Sequence, residues 1–186
     1  MSDLVIDADI MRSAGESEHP HSSNSRRLLE TIRDAGHRMV QCAPLTAEHK
    51  KHQSAFASTW RASMVSRKRW VQWVYQEDRK LREVLVAALP LAASAQRDAV
   101  LKDAHLLEAA SATDGRILSK DAKARNLFQR ACPTLGIHKT ILWGDLTGSP
   151  EEVIAWVQTG CTSRYDFRLC PVEPRKEQKG TSRQKT

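Results

Sequence analysis

No stretch of this chain reaches about 18 consecutive apolar residues, the length that a membrane-crossing helix needs. The first residues lack a basic segment followed by a long apolar one, so nothing there reads as a secretory signal. The expectation is a soluble protein of the cytoplasm with no membrane partner. The four cysteines, Cys42, Cys132, Cys161 and Cys170, form no CxxC pair, which excludes the commonest zinc-site patterns. In that compartment they are expected as reduced thiols. There is no internal repeat. Aromatics are scarce, at 5% of residues, and three of the five tryptophans (Trp60, Trp70, Trp73) fall in one stretch. At 186 residues the chain can bury a real core, as one domain or one domain with a tail.

What the chain does have is positive charge, and it is concentrated. Nine Lys/Arg lie between Lys50 and Arg82 against only Glu77 and Asp78, while the rest of the chain is balanced. Such a concentration suits a polyanion, most simply nucleic acid, although a solvated helix face has the same composition. Within it Arg61, Arg67, Lys68, Arg69, Trp70 and Trp73 interleave cations with rings. Bases stack on rings while Lys and Arg hold phosphates, so these six are candidate RNA-binding residues. The same rings could equally serve the core or a protein partner.

Hydrophobic patterning sets the expected order of elements. Met1 to Ile10 reads as a first strand, Met11 to Asn24 as a loop, and Ser25 to Ala35 as a helix closed by Gly36. His37 to Ala43 reads as a second strand that Pro44 stops, with Thr46 capping a helix through Glu48 and His52. Ser58 to Leu89 carries apolar residues at helical spacing and is expected as one long helix or a broken pair. Helices are expected over Leu91–Ala112 and Ala122–Ala131, strands at Arg116–Ser119 and Thr140–Trp143, and a last helix from Ser149-Pro150 to near Gly160. Strands alternating with helices predict an α/β fold, a three-layer α/β/α sandwich around a mainly parallel sheet. Residues 1–160 form the expected domain, with 58–89 as a basic helical insertion. Residues 161–186 form a C-terminal extension whose last part, 172–186, has the composition of disorder.

Four acids occupy comparable places in that scheme. Asp7 ends the first strand, Glu48 lies in the first turn of the helix after the second strand, Asp103 sits mid-helix, and Asp121 follows the Ile117-Leu118-Ser119 strand. A parallel sheet gathers residues beyond its strand ends on one edge. Each acid also has an ordinary reading: Asp7 as a loop cap, Glu48 as a helix-dipole partner, and Asp121 as an N-cap. Asp103, beside Leu106 and Leu107, is harder to dismiss because it needs a partner. Asp9, Ser13 and Ser119 are weaker, supporting candidates, and Asp145 reads as a turn residue. His49 and His52 read as surface or RNA-contacting residues.

Four segments carry a resemblance. Val5-Ile6-Asp7-Ala8-Asp9, Pro44-Leu45-Thr46-Ala47-Glu48, Lys102-Asp103-Ala104-His105-Leu106-Leu107-Glu108-Ala109-Ala110 and Ile117-Leu118-Ser119-Lys120-Asp121 resemble, in order, the four acidic motifs of PIN-domain nucleases. The likeness covers Leu4 to Leu146. It departs at Asp9, where the family often has Asn, and in the added length of the basic segment and the C-terminal part. The resemblance implies a PIN-like fold and a metal-dependent endoribonuclease that uses Mg²⁺ or Mn²⁺ held by Asp7, Glu48, Asp103 and Asp121. It further implies the toxin of a toxin–antitoxin pair, with a cognate antitoxin and a homodimer as partners for the basic helical region. The chemistry suits the residues, because such hard cations favour carboxylate oxygens and clustered acids without a cation repel and protonate. Two other readings stand beside this one: a non-catalytic RNA- or protein-binding module, and a structure-selective DNA nuclease.

Overall fold

Leu4, Val5 and Ile6 open the chain as a buried strand, and their alternation assigns them to two different faces. The computed structural model describes residues 1–90, 92–134 and 141–170. Leu91, Thr140 and the 172–186 tail, each named above, lie outside the described residues. Five strands, β1 (Asp3–Ile6), β2 (Arg38–Gln41), β3 (Trp70–Gln72), β4 (Arg116–Ser119) and β5 (Leu142–Asp145), form one sheet in the order β3-β2-β1-β4-β5. Every pairing within it is parallel. Side chains alternate across a strand, so Val5, Val40, Ile117 and Trp143 face one layer while Leu4, Ile6, Met39, Leu118 and Leu142 face the other.

The first layer holds α5 (Arg79–Ala87), α6 (Ser94–Ser111) and α7 (Ala122–Ala131), through residues such as Leu81, Leu85, Leu107 and Phe128. The second holds α1 (Ala8–Ser13), α2 (Pro20–Asp34), α4 (Ala55–Ser66) and α8 (Pro150–Gln158), through Ile10, Leu28, Leu29, Trp60 and Trp156. The fold is therefore the expected α/β/α sandwich. Fully buried Trp143 and Trp156 each contribute at the upper end of the ~1.5–3 kcal/mol typical of a large buried side chain. Gly144 lets α8 approach β5, since a Cβ there would lie 3.1 Å from Val153 and 3.2 Å from Trp156 of α8, besides 2.8 Å from Leu118 Cδ2 of β4. Gly36 adopts φ +75° just beyond α2, the left-handed conformation that closes a helix.

Several boundaries differ from the sequence expectation, and proline explains two of them. Pro20 opens α2 inside the expected loop, and Pro44 sits in the first turn of α3 (Ala43–His52) rather than only ending the strand before it, because a first-turn residue needs no N–H partner. Thr46 is consequently inside α3, and Glu48 lies in its second turn, beyond the strongest pull of the dipole. The first strand ends at Ile6, and Ala8, Ile10 and Met11 belong to a helical turn where a strand and then a loop were expected. The 58–89 segment is not a helical insertion. Its middle forms β3, the edge strand of the sheet, between α4 and α5.

Two cysteines are also corrected. Cys132, at the end of α7, forms a disulfide with Cys170, while Cys42 and Cys161 are free and buried. The cross-link ties residues 161–170 to the domain. Phe167 stacks on Trp156 at 4.5 Å between ring centroids, and Leu169 N donates to Ile141 O at 2.8 Å. Sequence spacing alone cannot pair cysteines 38 residues apart.

Candidate active site

The strand order reverses between β1 and β4. From β1 the chain steps outward to β2 and β3, then returns beneath α5 and α6 to place β4 on the other side of β1. Ligands of open parallel sheets bind beyond the carboxyl ends of the strands at such a switch point. Asp7 follows β1 there, and Asp121 follows β4 two residues past its end.

One cavity of about 130 Å³ at this edge is lined by Asp7, Ala8, Asp9, Arg12, Glu48, His52, Lys102, Asp103 and Asp121. All four principal acids of the sequence reading share it, and they come from five different elements once Asp9 is added: the β1 end, α1, α3, α6 and the start of α7. A larger cavity of about 620 Å³ lies between α5 and α6, but its lining brings no comparable group of acids together.

Each acid has its own support. Asp7 caps α1, accepting from Asp9 N at 3.5 Å, and accepts from Ser119 Oγ at 2.7 Å. Ser119 is fully buried, and its oxygen also accepts from Asp121 N at 2.9 Å, so one hydroxyl joins two of the acids. Asp9 Oδ2 accepts from Lys120 N at 2.8 Å, whereas its Oδ1 is buried without a partner. Asp121 caps α7 through Ala124 N at 2.9 Å. The ordinary capping roles weighed for Asp7 and Asp121 are thus filled as well. Glu48 Oε2 lies 3.4 Å from His105 Nε2, while His105 Nδ1 donates to Lys102 O at 2.9 Å.

The electrostatics follow from that crowding. Burial pushes Asp7 above the ordinary carboxylate range, against the bonds from Ser119 and Asp9 N, and Glu48 adds to the rise. Burial and the charge of Asp7 raise Asp9 to about 7. Burial raises Asp103 to about 6, with Lys102 opposing and Asp7 and Asp121 adding. Glu48 goes the other way, held down by its contact with His105. Burial works against a charged His105, yet Glu48, the Lys102 carbonyl and Asp7 together leave its pKa raised. The cavity therefore carries more negative charge than its own neighbours relieve.

Donor chemistry fits a hard divalent cation: carboxylates in one cavity, raised pKa values and an orphaned Asp9 oxygen. Among the described residues, however, no three His, Cys, Asp or Glu side chains are gathered closely enough to hold a metal ion as they stand. Asp7, Glu48 and Asp121 are turned to Ser119, His105 and the α7 amides instead.

The remaining candidates are scattered. Ser13 is engaged with Ser25 at 2.7 Å and lies outside the acid cavity. Asp145 accepts from Thr147 in a turn, as expected. His49 is not a surface residue; it is buried, with Nε2 2.8 Å from Ile6 O, and helps hold the end of β1. Of the basic segment, Arg67, Lys68, Arg69 and Trp70 lie at the amino end of β3, the opposite end of the sheet from Asp7, and Arg69 donates to Gly36 O. Trp70 is exposed, Trp73 packs edge-on to Tyr75 against the core, and Arg61 is half-buried on α4. Trp60 is buried and donates from Nε1 to Leu29 O at 2.5 Å.

Sequence reading missed Arg12, Lys102 and His52 as cavity residues and His105 as the partner of Glu48. Arg12 was hidden by the loop expectation. His105 is two residues from Asp103, a spacing that does not share a helix face, so only the tertiary contact with Glu48 reveals it. Comparison with models of protein families, with curated proteins and with solved structures finds no match for this chain. Among the described residues no helix is long and apolar enough to cross a membrane.

Proposed function

We propose that this chain is a PIN-like endoribonuclease dependent on Mg²⁺ or Mn²⁺, acting as the toxin of a toxin–antitoxin pair. The observation that carries the reading is the convergence of Asp7, Glu48, Asp103 and Asp121 on one small cavity at the switch point of a parallel sheet. Asp7, Asp103 and Asp121 are the residues that would hold the cation, directly or through water, with Asp9 beside them. When bound, such a cation supplies Lewis-acid activation of water and charge neutralisation at the phosphate.

The chain's own residues do the rest. Glu48, kept ionised by His105, orients the attacking water and accepts its proton. Ser119 fixes the carboxylate of Asp7 and the backbone of Asp121. Lys102 and Arg12 bring positive charge to the rim, where a phosphodiester approaches. Antitoxin and a second copy of the chain are the proposed protein partners. The cytoplasm is the proposed compartment, where the Cys132–Cys170 disulfide would face reduction.

The second reading, a PIN-like module that binds RNA or protein without cutting, draws on the separate resting partners of the acids. Labelled RNA and DNA incubated with Mn²⁺ or with EDTA separate the readings. The nuclease reading expects cutting of RNA with Mn²⁺ only, and its loss in Asp7→Asn and Asp121→Asn. Cutting of DNA alone moves the assignment to a DNA nuclease. No cutting under any divalent cation leaves only the binding module, and cutting by both variants equal to that of wild type removes Asp7 and Asp121 from the reaction and with them the PIN-like assignment.

A further inference from the structure

A second depression, of about 510 Å³, opens beside the acid cavity. It is lined by Asp9, Arg12, Ser13, His21, Lys120, Asp121, Ala122, Lys123 and Thr147. Asp9, Arg12 and Asp121 line both spaces, so the two are continuous. The character changes along that path, from acids in the cavity to the cations Arg12, Lys120 and Lys123 in the groove.

These cations differ from those that the fold neutralises itself. Arg26, Arg27, Arg33, Arg38, Arg82 and Arg164 each have a carboxylate within 4.0 Å. Among the described residues no such partner is recorded for Arg12, Lys120 or Lys123, although Lys120 is half-buried. The groove also offers little to a base. Its one ring is the His21 imidazole, which stacks on His19 at 5.1 Å between centroids.

We propose that the groove between α1 and α7 holds the phosphodiester backbone of a single strand on Arg12, Lys120 and Lys123, next to the bond cut in the acid cavity. This rests on the nuclease reading. A cavity of about 130 Å³ admits a phosphodiester and a cation, not a duplex, which argues for a single strand. A positive groove that tracks a backbone without a stacking platform binds with little sequence preference. The strand thus leaves the acids across α1 and α7, not along the Arg67–Trp70 segment at the far end of the sheet.

The test is fluorescence anisotropy of a labelled 12-nucleotide RNA, and of DNA of the same sequence, titrated in EDTA from low to moderate salt so that nothing is cut. In the triple variant Arg12→Gln, Lys120→Gln, Lys123→Gln, the slope of log affinity against log salt falls by about 2, and binding weakens by about tenfold or more. Thermal melting checks that the variant is folded. The Arg67→Gln, Lys68→Gln variant keeps the wild-type slope, and RNA and DNA bind alike. Wild-type slope and affinity in the groove variant, or no binding of either strand by the wild type, overturns the proposal. Polyglutamate binding in place of both strands also overturns it, in favour of an acidic protein. Because binding is read without cutting, an inactive wild type that still binds through the groove sinks the nuclease reading alone. A groove variant that binds normally, beside Asp7→Asn that no longer cuts, sinks the groove alone.

Discussion

Glu108 and Asp9 are both carboxylates drawn into the protein, and their neighbours treat them in opposite ways. Glu108, 1% exposed, accepts from Arg82 Nε at 2.8 Å, Arg82 Nη2 at 3.0 Å, Tyr75 OH at 3.0 Å and Asp78 N at 3.0 Å. The chain supplies both the cation and the hydrogen bonds. Asp9 receives Lys120 N, has one oxygen with no partner, and sits among Asp7, Glu48, Asp103 and Asp121, where Lys102, 3.8 Å from Asp103, and His105, 3.4 Å from Glu48, offset part of the charge. An acid kept for the fold is neutralised from within. The acids at the sheet edge are only partly offset by the chain, and under the proposed function a cation supplies the rest.

Breaking the first group has the largest expected effect. Glu108→Ala leaves half-buried Arg82 with the more distant, exposed Glu77 at 3.7 Å as its carboxylate partner and lowers stability by about 3–5 kcal/mol, read from urea unfolding. A loss below about 1 kcal/mol would mean that the α5–α6 network is not structural. Asp7→Asn and Asp121→Asn change little in stability, since Asn caps a helix as well as Asp. Each is expected to slow RNA cutting by about 10²–10³-fold, the scale for losing one electrostatic element of an active site. Retained cutting in both would make the two acids simple caps.

The pH dependence sharpens the contrast. Asp9 at about 7 and Asp103 at about 6 hold protons that an unfolded chain has released above its ordinary value of 3.8. The folded state binds more protons in this window, so stability falls as pH rises from about 4 to about 7. Asp9→Asn removes part of that loss. It is expected to be about 1–3 kcal/mol more stable than wild type at pH 8, with little gain at pH 4, in denaturant melts at the two values. An equal change at both pH values would remove electrostatic crowding as its cause.

The two regions were not equally legible in the sequence. Asp7, Glu48, Asp103 and Asp121 could be gathered because each follows a strand or lies on a helix beside one, and a parallel sheet fixes where such residues meet. The β4–α7 unit was readable for the same reason: an apolar strand, a buried serine and an acid cap follow in short order. The partners were not readable. His105 reaches Glu48 across α3 and α6, and Arg82 reaches Glu108 across α5 and α6, contacts that no local spacing encodes. β3 was hidden because Val71 and Val74 fit a helical period as well as an edge strand. Pro44 was read as a stop and Pro20 as part of a loop when both open helices, a choice that only the preceding residues' hydrogen bonds decide.

The proposed function requires that these crowded acids form a cation site, and thermal melting with Mn²⁺ at pH 8 and pH 5.5 tests that most directly. Wild type is expected to gain about 5–10 °C at a hundredfold excess of cation over its Kd at pH 8. The gain is smaller at pH 5.5, because binding must displace the protons on Asp9 and Asp103. It is lost in the double variant Asp7→Asn, Asp103→Asn. No gain in wild type, or an equal gain in the double variant, would contradict the account.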